Sequence, residues 1–212
     1  MEAIHSQLET AQDAWVLETL KGLKGPGYFV ELGSYDGLET SNTLALELRG
    51  WTGLLVEAAP ELYAKTVANR PNCQHDSRAV SDHNDTAVRF SQAGLWGGLH
   101  ELLPEGWHSE YAHKFPDAWV NTVTLVALLS DHNAPSIVDY LSLDIEGAEL
   151  IVLEEFFRHP EFGFRCMTVE WRQNAEVLKR LEGLLLSHGY TLDKVQAWDA
   201  FFVNKDLNKD LS

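Results

Sequence analysis

The run Tyr28-Phe29-Val30-Glu31-Leu32-Gly33-Ser34-Tyr35-Asp36-Gly37 constrains the fold more than any other stretch of the chain. Residues 28–32 are largely apolar and contain no turn former, so they predict a short buried strand. Gly33 lets the chain turn sharply at the strand end, and Gly37 lets the backbone approach a ligand closely. A buried strand that runs into a glycine turn and then a helix is the opening unit of a parallel α/β sheet. In such sheets ligands gather beyond the carboxyl ends of the strands.

The rest of the chain keeps this alternation. Apolar spacing predicts helices over 8–23, 41–49, 60–69, 124–131, 148–157 and 175–188. Strands are expected over 52–56, within 74–80, and over 87–90, 137–144 and 165–170. A closing hairpin is expected from 190–194 and 200–203. The result is one α/β domain over 1–212 with a mostly parallel sheet and helices on both faces. Residues 91–119 hold four Gly or Pro before Gly106 alone and read as a long functional loop or lid rather than a connector.

The glycine loop reads E-x-G-x-x-x-G. A dinucleotide site needs G-x-G-x-x-G, with the middle glycine against the pyrophosphate. Bulky Tyr35 stands there, which weighs against a pyrophosphate cofactor. A cofactor with a carboxylate and an amino group fits better. Backbone N–H groups near Ser41, Asn42 and Thr43 can meet the carboxylate, and Glu31 or Asp36 the ammonium. Leu54-Leu55-Val56-Glu57 then places an acid at a strand end 24 residues after Gly33, near the spacing of a ribose-binding carboxylate. Two glycines in a turn, or one acid at a strand end, are ordinary alone; in this order they favour a ribose-bearing cofactor.

Three blocks carry a resemblance: residues 27–47 (GYFVELGSYDGLETSNTLALE), 50–57 (GWTGLLVE) and 139–150 (DYLSLDIEGAEL), with 189–192 (GYTL) and 199–203 (DAFFV) following. Together they resemble the FkbM family of S-adenosylmethionine-dependent methyltransferases. The resemblance implies a Rossmann-like class I methyltransferase fold with a seven-stranded sheet and methyl transfer to a hydroxyl oxygen, on acceptors such as sugars, glycans or other small metabolites. It implies cofactor contacts at Glu31, Gly33, Ser34, Asp36, Gly37, Ser41 and Glu57. Ala58, Arg78 and Ala79 would lie on the adenine side, and Asp144 and Ile145 would close the pocket. One departure stands out: Ala58-Ala59-Pro60 follows Glu57, where the family usually has a proline and an asparagine.

Asp144 and Glu170 end two strands of a parallel sheet, so both face the ligand crevice. Asp144 is the first candidate for a base on the acceptor hydroxyl, a role worth typically ~10²–10⁴-fold. By analogy with other class I O-methyltransferases, Asp144 and Glu170 could instead hold a divalent cation such as Mg²⁺ that lowers the hydroxyl pKa. Glu149 reads as a helix-start acid. His100, after Gly97-Gly98, is the histidine of the long loop to test, beside His108 and His113; Trp96, Trp107, Tyr111 and Trp119 offer faces for a sugar ring.

The formal net charge is −16. A surface that negative repels phosphate backbones and anionic lipids, so the acceptor is expected to be a neutral small molecule or carbohydrate and no nucleic acid. Cys73 and Cys166 form no CxxC pair, and no apolar stretch reaches the roughly 20 residues of a membrane span. These features predict a reduced, cytoplasmic protein with no membrane segment. The oligomeric state is open. The rival readings are an NAD-type oxidoreductase and a catalytically silent cofactor-binding module.

Overall fold

The structure, a computed structural model, describes residues 11–103 and 114–211. Strand β1 (Tyr28–Leu32) lies inside a sheet, parallel to β2 (Thr52–Val56) on one side. The sheet extends from β2 to a short parallel strand, β3 (Gln74–Asp76).

A second pair of short strands, β4 (Ala79–Ser81) and β5 (Ala87–Ser91), flanks β6 (Asp117–Thr124) in a separate three-stranded sheet. On the other side of β1 come β7 (Ile137–Leu143) and then β8 (Gly163–Glu170), both parallel to it. The hairpin β9 (Tyr190–Gln196) and β10 (Asp199–Asn204) closes the edge, with β10 antiparallel to β8. The order β3-β2-β1-β7-β8-β10-β9 is a seven-stranded, mostly parallel sheet, as the family resemblance implies. Strand order reverses between β1 and β7, where such sheets open a crevice.

Strands buried on both faces explain the near-continuous apolar runs. Val30, Leu54, Leu141 and Met167 point into the larger core, under α4 (Leu125–Asp131), α5 (Glu149–Phe156) and α6 (Ala175–Ser187). Phe29, Leu55, Tyr140 and Cys166 alternate with them and face α1 (Gln12–Thr19) and α2 (Leu44–Glu47). The fully apolar burial of one such side chain contributes roughly 1.5–3 kcal/mol, so the two-sided core carries the sheet. Helix α3 (Pro60–Asn69) begins on a proline, as expected. Among the described residues no helix is long and apolar enough to cross a membrane.

Several boundaries differ from expectation, each for a local reason. The helix expected over 41–49 shrinks to α2, because Ser41 and Thr43 turn their side chains onto Glu31 instead of continuing a helical path. The strand expected within 74–80 splits in two. The Asp76 carboxylate accepts from the Arg78 backbone N–H at 2.8 Å and from its guanidinium, which turns the chain out of the main sheet. β6 begins inside the expected 91–119 loop and runs past its end; its Trp119 faces solvent, 72% exposed, while Val120, Thr122 and Val123 are buried. The helix expected over 8–23 stops at Thr19, and its first residues lie outside the described ones.

Candidate active site

The carboxyl ends of β1, β2, β7 and β8 open onto a cavity of about 800 Å³, within the size range of small-ligand sites. Gly33 is the hinge of its floor. Its φ is +83°, and an added Cβ would lie 1.9 Å from the Asp144 carbonyl oxygen. Only glycine lets the loop after β1 touch the loop after β7. The N–H groups of Gly33 and Ser34 both donate to the Val56 carbonyl at 3.0 Å, which ties the loop to β2.

Glu31 and Glu57 lie on this side of the cavity, and both are buried. Glu31 accepts from the Asn42 N–H at 2.8 Å and from the hydroxyls of Ser41 and Thr43. Burial raises its pKa, and the nearby Arg70 opposes the shift. Its carboxylate therefore holds the 41–43 loop as well as facing the pocket. Glu57 accepts from the Tyr35 N–H at 2.9 Å and the Ala59 N–H at 2.8 Å. Burial lifts its carboxyl to about 7. Tyr35 itself sits at φ +54°, the left-handed region a glycine would occupy. The Ser34 hydroxyl is buried at the cavity wall with no hydrogen-bond partner among the described residues.

Ser41, Ala58, Arg78, Ala79 and Ile145 also reach the cavity. Arg78 is anchored by Asp76 at 2.6 Å and Asp131 at 2.9 Å, and these partners raise its pKa. Two expected residues do not line the pocket. Asp36 caps a turn, accepting from the N–H groups of Leu38 and Glu39 at 2.9 and 2.8 Å. Gly37 (φ +79°) packs against Arg70. That arginine, 1% exposed, donates to the Gly37 carbonyl and the Ser41 hydroxyl at 3.0 Å and pairs with Glu47. No sequence pattern marked it.

The opposite wall is acidic. Asp144, Glu146 and Glu170 face the cavity, with Glu149 just behind. Burial and mutual repulsion push the carboxyls of Asp144 and Glu170 well up, and burial lifts Glu146 to about 7. Arg172 counters the cluster, pairing with Glu146 at 2.6 Å and lying 3.8 Å from Glu170. It follows β8 with φ +59°, a strained left-handed residue of the kind that clusters at functional sites. Sequence reading missed Arg172, Asn174 and Trp198, which all line this end.

One oxygen from each of Asp144, Glu149 and Glu170 falls within 4.8 Å of the others, the group among the described residues able to hold a cation. The expected divalent cation is nevertheless unsupported. Glu149 spends its carboxylate on the N–H groups of Ile145 and Gly147, at 3.0 and 3.1 Å, and Arg172 already brings positive charge to Glu170.

His100 does not line the cavity; its Nδ1 lies 3.3 Å from Asp117. In the long loop, Trp96 sits on a 3₁₀ turn (Gly94–Trp96) that does reach the cavity. Trp119 lines a separate groove on β6. Trp107, His108, Tyr111 and His113 lie outside the described residues.

Residues 31–192 match the methyltransferase FkbM domain. The chain belongs to the FkbM methyltransferase family. It is therefore an S-adenosylmethionine-dependent methyltransferase on a Rossmann-like fold. No curated protein matches the sequence. Among solved structures, the METTL16 methyltransferase domain is 13% identical, covers 92% of this chain and 66% of its own, and superposes with a TM-score of 0.51. The precorrin-6y C5,15-methyltransferase from Geobacter metallireducens is 11% identical, with coverage of 96% and 91% and a TM-score of 0.48. At these identities the likeness to METTL16 is one of fold.

The FkbM cavity fits S-adenosylmethionine by its own chemistry. Glu57 and Gly33 line the cavity together, and the buried Ser34 hydroxyl in its wall has no hydrogen-bond partner among the described residues.

Proposed function

We propose that this FkbM methyltransferase methylates a hydroxyl oxygen of a neutral, polyhydroxylated acceptor, a sugar or glycan unit being the best fit. The observation that carries this reading is the make-up of the cavity wall. Glu31, Glu39, Glu57, Asp144, Glu146 and Glu170 all face it. Its two arginines are already ion-paired, Arg78 with Asp76 and Arg172 with Glu146. A phosphate or carboxylate acceptor meets repulsion here. A neutral polyol finds carboxylate acceptors for its hydroxyls and the indoles of Trp96 and Trp198 for its apolar ring faces. The same acidity weighs against a nucleic-acid acceptor.

Glu57 would hold the ribose hydroxyls of the cofactor, and the loop positioned by Glu31 its amino-acid end. When bound, S-adenosylmethionine supplies an electrophilic methyl group on a sulfonium. Asp144, at the carboxyl end of β7, takes the acceptor proton. Its pKa is raised first by burial and then by its acidic neighbours, so positive charge arriving in the cleft draws it down towards the range of a working base. Glu170 orients a second hydroxyl, its Oε2 being without a hydrogen-bond partner. Arg172 opposes the raised pKa of Glu146 and holds its side chain in place.

A titration followed by a turnover panel tests the reading. S-adenosylhomocysteine and NAD are titrated calorimetrically, and methyl transfer from labelled cofactor is measured on neutral sugars, sugar phosphates and RNA. Binding of S-adenosylhomocysteine alone and turnover on neutral sugars are expected. Preferential methylation of the anionic acceptors overturns the acceptor class.

A further inference from the structure

A buried polar network ties the first described helix to the cofactor loop through the sheet. Gln12 opens α1 and is 1% exposed. Its side-chain carbonyl accepts from the hydroxyls of Tyr140 at 2.7 Å, Ser142 at 3.5 Å and Thr168. Its amide donates to Asp199 at 2.8 Å. The Ser142 oxygen accepts from the Asn42 side-chain amide at 3.0 Å, and the Asn42 backbone N–H donates to Glu31. Asn42 and Glu31 both line the cavity.

The proton count gives Gln12 its leverage. The hydroxyls of Tyr140, Ser142 and Thr168 each give one proton and accept others, whereas the Gln12 carbonyl only accepts. Beside the shorter bonds it takes from Tyr140 and Thr168, it offers Ser142 an acceptor at 3.5 Å on the side away from Asn42, which leaves a lone pair on Ser142 for the Asn42 amide. The 41–43 loop needs such support, because the α2 turn that follows is four residues long and too short to order itself. Arg70 clamps this loop on one side, through Ser41 and Thr43. The Gln12 route reaches it from the sheet through Ser142. Gln12 and Asp199 both lie outside the segment 31–192 that matches the family.

We propose that Gln12 is a positioning residue for the cofactor: through Ser142 it holds Asn42 against Glu31 and keeps the 41–43 wall of the cavity in place. This rests on the cavity being the S-adenosylmethionine site. The test is a calorimetric titration of S-adenosylhomocysteine into the full chain, for wild type, Gln12→Leu, Ser142→Ala and the double variant, with Tm measured alongside. Each single variant is expected to weaken Kd by about fivefold or more, the size of one lost hydrogen bond. The double variant is expected to be no weaker than Gln12→Leu, since both cut one path. In turnover, KM for S-adenosylmethionine rises by more than kcat falls. A Kd within twofold of wild type in the single variants overturns the proposal, whatever happens to Tm, because Gln12 is then structural only. Should Gln12→Leu not fold, Ser142→Ala decides by the same criterion. A wild type that fails to bind S-adenosylhomocysteine overturns the site reading, a result distinct from unchanged affinity in the variants.

Discussion

Gly33 and Asp144 meet backbone to backbone: a Cβ on Gly33 would stand 1.9 Å from the Asp144 carbonyl oxygen. The side of the cavity that holds Glu57 and the side that holds Asp144 are joined at this contact. Gly33→Ala must therefore move one loop or the other, and it also forces a side chain to φ +83°. A loss of about 2–4 kcal/mol of stability is expected from clash and strain together, with S-adenosylhomocysteine binding abolished. Denaturant unfolding and calorimetry check it; a stable, ligand-binding Gly33→Ala would remove the hinge role.

Glu57 gives a pH signature. Its folded-state pKa of about 7 lies above the ordinary 4.5. Its contribution to stability is therefore fully present below about 4.5 and is lost as pH rises through about 7. Ribose hydroxyls donate best to the ionised form, so S-adenosylhomocysteine affinity should rise over that same window. Glu57→Gln should bind about tenfold more weakly, as for a lost hydrogen bond to a charged group, and without that rise. A variant that keeps the wild-type pH slope would show that another group is responsible.

Asp144→Asn preserves shape and removes the base. Turnover should fall by about 10²–10⁴-fold while S-adenosylhomocysteine Kd stays near wild type. Wild-type-like turnover in this variant ends the catalytic assignment.

His100 and Trp96 belong to the same loop and should part company. His100→Ala changes a residue beside Asp117, outside the cavity, and turnover should remain within about twofold, as for changes away from a site. Trp96→Ala removes an aromatic wall and should raise acceptor KM severalfold, by roughly the 0.5–1.5 kcal/mol of an aromatic contact, with cofactor affinity unchanged. The reverse pattern would place the acceptor elsewhere.

Chelation is expected to leave turnover intact, since Glu149 bonds backbone N–H groups and Arg172 supplies the local positive charge. An EDTA-sensitive rate restored by Mg²⁺ would reverse this.

The sequence by itself determined what depends on neighbours along the chain. Alternating apolar runs dictated the layered sheet, and Gly33, Glu57, Asp144 and Glu170 were readable because a strand end places its last residues at the crevice whatever the rest does. Tertiary structure decided what depends on distant partners. Asp36 faces a turn because Leu38 and Glu39 offer it N–H groups, and His100 turns to Asp117. Arg172, Arg70 and Gln12 carry no local motif. Each acquires its role from charges and hydroxyls tens of residues away, as when Gln12 meets Ser142 and Asp199 across the sheet. Burial makes such pairings obligatory, because a polar group taken from water must find a partner, and only the folded chain determines which one it finds.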